Sequence, residues 1–156
     1  MTPRERIFML TEREITENFE DYKKFRHLYL AAFPKEERVP VKYLMKHGGE
    51  SELIACYDGE TFCGFYSTLT FGDITHILFI AIAEELRDRG YGSALLGLIS
   101  RRYPKNRIIL DMEAENPSAP NNEQRLRRKA FYEKNGYTES GIEYVWRKVP
   151  YKILIK

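Results

Sequence analysis

One stretch near the middle of the chain constrains the fold most: an apolar, strand-like run, then a charged loop with two glycines, then the start of an amphipathic helix. It reads Ile80-Ala-Ile-Ala-Glu-Glu-Leu-Arg87-Asp-Arg-Gly90-Tyr-Gly92-Ser-Ala-Leu-Leu96. Such a strand–loop–helix gathers backbone N–H groups and a helix N-terminus around one point, and that arrangement binds phosphate-like anions. We expect Gly90 and Gly92 to let a ligand approach where a Cβ would collide. Arg87 and Arg89 supply charged donors nearby.

Two other phosphate-binding motifs fit this loop less well. A dinucleotide-binding G-x-G-x-x-G motif would require glycine at Leu95, and Gly90 follows the strand at a greater distance than that motif allows, although Asp111 lies at a suitable spacing for its acidic residue. A Walker A loop requires G-K-[S/T], which does not occur in the chain. The simple alternative is an ordinary helix start after a glycine turn.

The composition is that of a soluble globular protein. The chain has 156 residues, 43% of them hydrophobic and 31% charged, which suits one domain spanning residues 1–156 with a sizeable core. A net charge of +2 is too small to predict a nucleic-acid-binding protein. Cys56 and Cys63 are expected to be small buried core residues. No secretory or membrane-spanning apolar run is recognised, so we expect a cytoplasmic protein with no membrane partner.

Hydrophobic periodicity predicts strands and helices in the order β-α-α-β-β-β-α-β-α-β-β. Strands are predicted at about 7–10, 53–57, 61–70, 74–83, 107–112, 137–148 and 151–155, and helices at about 19–32, 41–46, 92–102 and 123–135. Thr16 or Asn18 is expected to cap the first helix, and Gly48-Gly49 to close the second. Asp58-Gly59 predicts a hairpin turn, and Gly136 is expected to adopt the left-handed conformation after the last helix.

A second pattern, Phe131-Tyr-Glu-Lys134-Asn-Gly136-Tyr137, lies in the last helix and just beyond it. Together with Arg87-x-x-Gly90-x-Gly92 and the order of elements, it resembles the GCN5-related N-acetyltransferase (GNAT) superfamily over nearly the whole chain. The resemblance implies an α/β (mixed α+β) GNAT fold, with a mixed, mostly antiparallel sheet of about seven strands and about four helices. In that fold coenzyme A (CoA) enters where the fourth and fifth strands splay apart.

The resemblance also implies the activity and the contacts to the co-substrate. It predicts an N-acetyltransferase that moves the acetyl group of acetyl-CoA to a primary amine by direct attack in a ternary complex, with no metal. The amides of the loop would bind the CoA pyrophosphate, and the strand before it would pair with the pantetheine amides. The cofactor-binding residues predicted in this way are Ile80, Ala81, Ile82, Arg87, Asp88, Arg89, Gly90, Tyr91, Gly92, Ser93, Asn116, Tyr132 and Lys134.

Tyr132 occupies the position of the tyrosine that, in this family, protonates the departing thiolate. A phenol with a pKa of about 10 keeps its proton at neutral pH and can donate it to a developing thiolate. At about 100° per residue, Tyr132 lies opposite Leu126 and Ala130, which we expect to face the core. Tyr132 would then point into a cleft. A packing role without proton transfer is the alternative.

Two residues compete to remove a proton from the acceptor amine. His76 stands on the fourth strand where histone-acetylating relatives carry their glutamate base, and its ordinary pKa of about 6.5 suits the task. Glu113, at the end of the fifth strand, is the rival, and a bridging water is a third possibility. Glu36 and Glu37 are expected to attract a cationic acceptor, and Tyr151 to line the same cleft.

Two other functions remain open on sequence grounds. The run Arg125, Arg127, Arg128 and Lys129 invites a nucleic-acid-binding reading, but these side chains do not form one stripe with interleaved aromatics. A catalytically silent regulator that binds acyl-CoA is the other alternative. We therefore expect a small-molecule or peptide amine as partner, no nucleic acid, and a homodimer through exposed edge strands.

Overall fold

The computed structural model describes residues 9–45 and 50–156, which form seven strands and three α-helices. The strands are β1 Leu10–Glu14, β2 Ser51–Asp58, β3 Thr61–Phe71, β4 Ile74–Ile82, β5 Arg107–Glu113, β6 Thr138–Trp146 and β7 Val149–Ile155. The helices are α1 Tyr22–Ala32, α2 Tyr91–Arg102 and α3 Asn122–Lys134, with short 3-10 turns at Val41–Tyr43 and Glu84–Leu86.

The seven strands form one sheet in the order β1-β2-β3-β4-β5-β7-β6. Each neighbouring pair is antiparallel except β4 and β5, which are parallel. This parallel pairing is short: it joins Ile74–Ile77 to Arg107–Leu110 and then stops. Beyond it the two strands have no paired residues, and we call the space between their C-terminal halves the β4–β5 gap. The mixed, mostly antiparallel sheet predicted from the sequence is confirmed.

Helices cover both faces of the sheet, and each face has its own apolar core. On the α2/α3 face, Leu95, Leu96 and Ile99 of α2 pack with Ile77 and other strand residues. On the α1 face, the buried residues are mainly aromatic: Phe25 and Tyr29 of α1 meet Phe65 of β3. Because side chains alternate along a strand, β2, β3 and β4 contribute to both cores, whereas the buried residues of β5 and β7 lie in the α2/α3 core.

Most predicted elements are confirmed, with differences near the N-terminus. Helix α1 begins at Tyr22 with Asp21 as its N-cap, not at a cap of Thr16 or Asn18. The reason is that residues 16–22 form two successive turns, in which Phe19 N–H donates to Thr16 and Tyr22 N–H to Phe19. In place of the helix predicted over 41–46 there is a 3-10 turn at Val41–Tyr43, and the described residues contain three α-helices where about four were expected. Ile7, Phe8 and residues 46–49, with Gly48-Gly49, lie outside the described residues.

Candidate active site

The C-terminal half of β4 has one side paired and the other side facing the gap. Its pairing with β3 continues to the strand end, from Ser67 opposite Phe79 to Gly64 opposite Ile82. A β-bulge near Leu78 interrupts the register just before this segment. Since β5 pairs with β4 only as far as Ile77, the backbone of Ile80–Ile82 borders the gap and offers a strand edge to an extended ligand.

The loop after β4 has a backbone suited to an anion. After the 3-10 turn, Asp88 and Gly90 both adopt positive φ, 62° and 90°, and α2 begins at Tyr91. The helical hydrogen-bond ladder starts with Ala94 N–H donating to the Gly90 carbonyl at 3.1 Å, so the N–H groups of Gly92 and Ser93 precede it. Left-handed residues followed by a helix N-terminus make an anion-binding concavity. The conformation of Gly90 requires glycine.

Tyr91 and Phe131 hold this loop in place, roles that the sequence patterns do not indicate. The buried Tyr91 hydroxyl donates a 2.6 Å hydrogen bond to Asp58 at the β2–β3 turn. Phe131 of α3 covers Gly92, where a Cβ would stand 2.9 Å from the ring Cζ. The packing of α3 therefore requires glycine at position 92. Neither contact has a local sequence signal, because both partners are distant along the chain.

Tyr132 lies on α3 against the α2/α3 core and is half-buried. Its ring centroid is 5.2 Å from that of Phe131 and 6.0 Å from that of the fully buried Tyr137. Burial raises the pKa of the Tyr132 hydroxyl, and the nearby charge of Arg128 opposes that rise only in part. The phenol therefore stays protonated at neutral pH and can act as a proton donor.

The expected orientation of α3 is wrong in one respect. Leu126 is 47% exposed and Ala130 is also exposed, whereas Arg125, Lys129 and Tyr132 face inward. The inward-facing side of α3 can carry positive charge because carboxylates from other parts of the chain form ion pairs with it. The Lys129 amino group lies 2.7 Å from Glu115 and 3.1 Å from Glu139, and Lys152 of β7 lies within 2.9 Å of the same two carboxylates.

Glu113, one of the two candidate bases, forms an ion pair with Arg125. Arg125 is only 9% exposed, and it also donates a 2.9 Å hydrogen bond to the Ala114 carbonyl. The carboxylate of Glu113 thus already has a buried cationic partner. The pairing also weakens the nucleic-acid reading, because Arg125 and Lys129 are engaged within the protein.

His76, the other candidate, lies on the α1 face beside Asp111 of β5. Its Nε2 is 3.3 Å from Asp111 Oδ2, and the Tyr144 hydroxyl donates to the same oxygen at 2.9 Å. Burial disfavours the charged carboxylate, but the hydrogen bonds from His76 and Tyr144 together with the charge of His76 outweigh it and lower the pKa of Asp111. Asp111 and Tyr144 therefore join His76 at the site.

The segment that carries Glu36 and Glu37 is anchored over β6 and β7. The buried Tyr29 hydroxyl exchanges hydrogen bonds of 2.8 and 2.9 Å with the Val39 backbone. Arg147, in the β6–β7 turn, donates to the Glu36 carbonyl at 2.9 Å. These contacts fix the segment at both ends.

Glu37 lies close to Tyr151 and Glu113. Burial raises the pKa of the Glu37 carboxyl, and the charge of Glu113 adds to the effect, while Arg128 and a hydrogen bond from Tyr151 oppose it. Tyr151 stacks on Tyr144 with ring centroids 5.4 Å apart. The structure thus brings together predicted acceptor residues from the α1–β2 segment and the last strands.

Two predicted cofactor contacts are engaged elsewhere. The side-chain oxygen of Asn116 accepts a hydrogen bond from the backbone N–H of Ser118, and the backbone N–H of Asn116 donates to the side chain of Asn122. Asn116 therefore shapes the loop before α3. The amino group of Lys134 lies 5.7 Å from the centre of the Phe131 ring. Neither contact prevents the side chain from turning toward a ligand.

The candidate acid and bases occupy different sides of the gap. Tyr132 lies on the α2/α3 face, whereas strand alternation places His76 and Glu113 on the α1 face. Within residues 9–45 and 50–156, no hydrogen bond, ion pair or ring contact joins Tyr132 to either of them. A thioester lying in the gap would therefore meet the acid from one side and the acceptor from the other.

Comparisons with known proteins agree with this architecture. Residues 49–139 match the model of the acetyltransferase (GNAT) domain family. A GNAT-family protein from Bacteroides thetaiotaomicron is 23% identical, with a TM-score of 0.77 over 93% of this chain and 85% of that one. An aminoglycoside 6'-N-acetyltransferase complexed with coenzyme A is 17% identical, with a TM-score of 0.70 over 94% and 96%. A GNAT-family acetyltransferase from Elizabethkingia anophelis with acetyl-CoA bound is also 17% identical, with a TM-score of 0.62 over 94% and 96%.

A comparison with curated protein sequences found no significant match. In the described part of the chain, no helix has both the length and the apolar character needed to cross a membrane.

Proposed function

The chain belongs to the GNAT family of acetyltransferases, and from this premise we propose that it moves the acetyl group of acetyl-CoA to a primary amine in a ternary complex. One observation carries the proposal. The edge of β4 that borders the gap leads directly into a loop with left-handed residues and a helix N-terminus. An extended ligand that ends in a pyrophosphate would pair with the strand edge and would place its pyrophosphate in the loop that follows.

Each part of the site has a matching part of acetyl-CoA. Backbone groups of Ile80–Ile82 are placed to pair with the pantetheine amides in a strand-like manner, and one N–H can polarise the thioester carbonyl. The loop Arg87–Ser93 would hold the pyrophosphate through its N–H groups. Arg87 and Arg89 are exposed beside the loop, where they add charge-assisted donors.

Tyr132 is proposed as the general acid for the leaving thiolate. It is half-buried on the inward stripe of α3, and its raised pKa keeps the proton on the phenol until a stronger base develops. General acid catalysis of this kind contributes about 10²–10⁴-fold to a rate.

The acceptor is proposed to be a cationic amine that approaches from the α1 face. The half-buried Glu37 carboxylate beside Glu113 supplies negative charge there, and the stacked Tyr144 and Tyr151 supply an aromatic wall. Aromatic faces attract cations, so both features favour an amine that carries a positive charge.

Thiol release from acetyl-CoA in the presence of a panel of amines tests the function. The panel covers small amines, polyamines, aminoglycosides, peptide N-termini and lysine peptides. We expect acceptor-dependent release for at least one cationic class. Tyr132→Phe should lower kcat about 10²–10⁴-fold with little change in the affinity for CoA. Tyr22→Phe on α1 is the matched control and should leave both unchanged.

Two outcomes would contradict the proposed function, and a third would contradict the role of Tyr132. CoA binding without turnover of any amine would indicate the silent regulator. Binding of duplex DNA with a steep salt dependence and no binding of CoA would indicate the nucleic-acid module. Full activity in Tyr132→Phe would leave the transfer reaction in place and remove Tyr132 as the acid.

A further inference from the structure

We propose that His76 is the base for the acceptor amine, that Asp111 is the residue that positions it, and that Tyr144 holds Asp111 in place. This inference rests on the proposed function, because a base is needed only if an amine is acetylated. It goes further by assigning roles to two residues outside the sequence motifs and by choosing between His76 and Glu113.

The first support is the geometry of the three side chains. The carboxylate oxygen Oδ2 of Asp111 lies 3.3 Å from His76 Nε2 and 2.9 Å from the Tyr144 hydroxyl. Asp111 Oδ2 and His76 Nε2 are within ion-pair distance, and because an ionised carboxylate has no proton to donate, the contact favours the tautomer with the proton on Nε2. The lone pair of the neutral ring then lies on Nδ1, which can take a proton from an acceptor. A carboxylate that fixes the tautomer of a catalytic imidazole works in the same way in Ser-His-Asp sites.

The second support is where the pair lies. The last paired residues of β4 and β5 are Ile77 and Leu110, so His76 and Asp111 stand at the point where the two strands separate. Both are on the α1 face, opposite the face that carries Tyr132. A base on the acceptor side and an acid on the sulfur side is the arrangement that a direct transfer requires.

The third support is the state of Asp111. Its second oxygen, Oδ1, is buried and has no hydrogen-bond partner among the described residues. A half-satisfied buried carboxylate costs stability, which is understandable if its charge has a function. The titratable groups that face His76 are Asp111 on β5 and, through it, Tyr144 on β6, with Tyr151 on β7 stacked behind. On β3 the neighbour opposite His76 is the apolar Leu69.

Glu113 is less suited to the role because its carboxylate is committed. It pairs with Arg125, a side chain that is only 9% exposed. Moving a proton onto Glu113 would leave that guanidinium buried without its charged partner, which is costly. The pair instead joins α3 to the end of β5, and thereby fixes the helix that carries Tyr132.

The proposed step balances as follows. The ammonium group of the acceptor first gives one proton to water. The neutral amine nitrogen then bonds to the acetyl carbonyl carbon, and the carbon–sulfur bond of the thioester breaks. The amine proton passes to His76 Nδ1, and the leaving sulfur takes the phenol proton of Tyr132. Imidazolium and phenolate then return to their starting states by exchange with water. The Asp111 charge stabilises the imidazolium while it exists.

Kinetics of single and double variants test the positioning role. Replacing the aspartate by asparagine in a Ser-His-Asp site lowers kcat about 10⁴-fold. The half-exposed His76 is less dependent on its partner, so we expect Asp111→Asn to lower kcat about 10–100-fold and the KM for acetyl-CoA to stay within about threefold. Tyr144→Phe should have a smaller effect of the same kind. In a His76→Ala background, Asp111→Asn should cost nothing further. Asp73→Asn, in the exposed β3–β4 turn, is the matched control.

A spectroscopic readout works without turnover. Nitrogen-15 spectra of the neutral His76 ring should show Nε2–H and a bare Nδ1 in the native protein, and a mixture of tautomers in Asp111→Asn. Native-like kcat in Asp111→Asn, an equal loss of kcat in the His76→Ala background, or the Nδ1–H tautomer in the native protein would each overturn the inference. One further result would overturn the inference. It is the loss of the acidic limb of the pH–rate profile in Glu113→Gln while that limb is unchanged in Asp111→Asn. If no amine is acetylated at all, the proposed function fails, and the tautomer still reports whether Asp111 orients His76.

Discussion

The contact between Gly92 and Phe131 leads to a quantitative prediction about Gly92→Ala. The backbone at Gly92 is helical and accepts alanine without strain, and alanine in place of glycine gains up to about 1 kcal/mol in a helix. The added Cβ, however, would stand 2.9 Å from Phe131 Cζ and 3.3 Å from Cε2. Overpacking of this kind costs about 1–3 kcal/mol. We therefore expect a net loss of about 1 kcal/mol in the free energy of unfolding.

The effect on catalysis should exceed the effect on stability. Phe131 must move to admit the methyl group, and the ring of Tyr132 packs against it. We expect kcat to fall about tenfold, as a displaced catalytic group would produce. Urea unfolding followed by circular dichroism measures the stability, and thiol release measures kcat.

Two further variants separate the causes. Phe131→Leu removes ring atoms from the space above Gly92, so the double variant should recover about 1 kcal/mol relative to additivity. Gly97→Ala lies on the same helix, where the nearest atom to the new Cβ is the flexible end of Arg101 at 3.3 Å, and it should be neutral or stabilising. A Gly92→Ala protein as stable and as active as the native one would refute the reasoning. A loss of CoA affinity that Phe131→Leu does not relieve would show that the ligand, not Phe131, requires glycine at this position.

Three other perturbations test separate parts of the account. Gly64→Ala should weaken CoA binding, measured by calorimetry, because its Cβ would overlap the Ala81 carbonyl oxygen and push the edge of β4 out of place. Tyr91→Phe should cost about 1–2 kcal/mol in urea unfolding, since it leaves the Asp58 carboxylate without this donor; an unchanged midpoint would contradict that. Hydrogen bonds from Lys129 and Lys152 lower the pKa of Glu115 from 4.5 to about 2. A carboxyl whose pKa is lowered by folding stabilises the fold at pH values above its pKa in the unfolded chain, and this stabilisation is lost as the pH falls. The melting temperature should therefore drop between about pH 5 and 2. Glu115→Gln should remove about 1 kcal/mol of that dependence.

The backbone of the loop after β4 could be predicted from the sequence because its determinants are local. The strand, the glycine and the helix start are contiguous, so the conformation of Gly90 and the start of α2 follow from neighbouring residues. The reason for Gly92 could not be found in that way. It depends on Phe131, which reaches the loop only through the tertiary fold.

The orientation of α3 shows where pattern reasoning fails. An apolar stripe normally faces the core, which favoured Leu126 and Ala130. In the structure Arg125 and Lys129 face inward. They can do so because they form ion pairs with carboxylates outside α3, namely Glu113, Glu115 and Glu139. Nothing in the helix sequence indicates those partners.

The environment of His76 was hidden from the sequence for the same reason. His76 and Asp111 lie on different strands, and a one-residue change in register would separate them. The only sequence signal at Asp111 is its spacing from Gly90, which would suit the acidic residue of a dinucleotide-binding motif. No sequence pattern indicates the hydrogen bond from Tyr144 to Asp111, because that contact depends on the position of β6 beside β7 at the edge of the sheet.

The central claim is that the loop after β4 binds acetyl-CoA, and calorimetric titration of CoA into Gly90→Val tests it most directly. Gly90 has a φ of 90°, and valine there would both strain the loop and crowd its N–H groups. Gly141→Val is the matched control, with a φ of 84° and no atom near its Cβ position, and circular dichroism verifies that both variants fold. The account predicts that the native protein and Gly141→Val bind CoA, and that Gly90→Val loses at least tenfold in affinity. Equal affinity in a folded Gly90→Val protein, or no binding by the native protein, would contradict it.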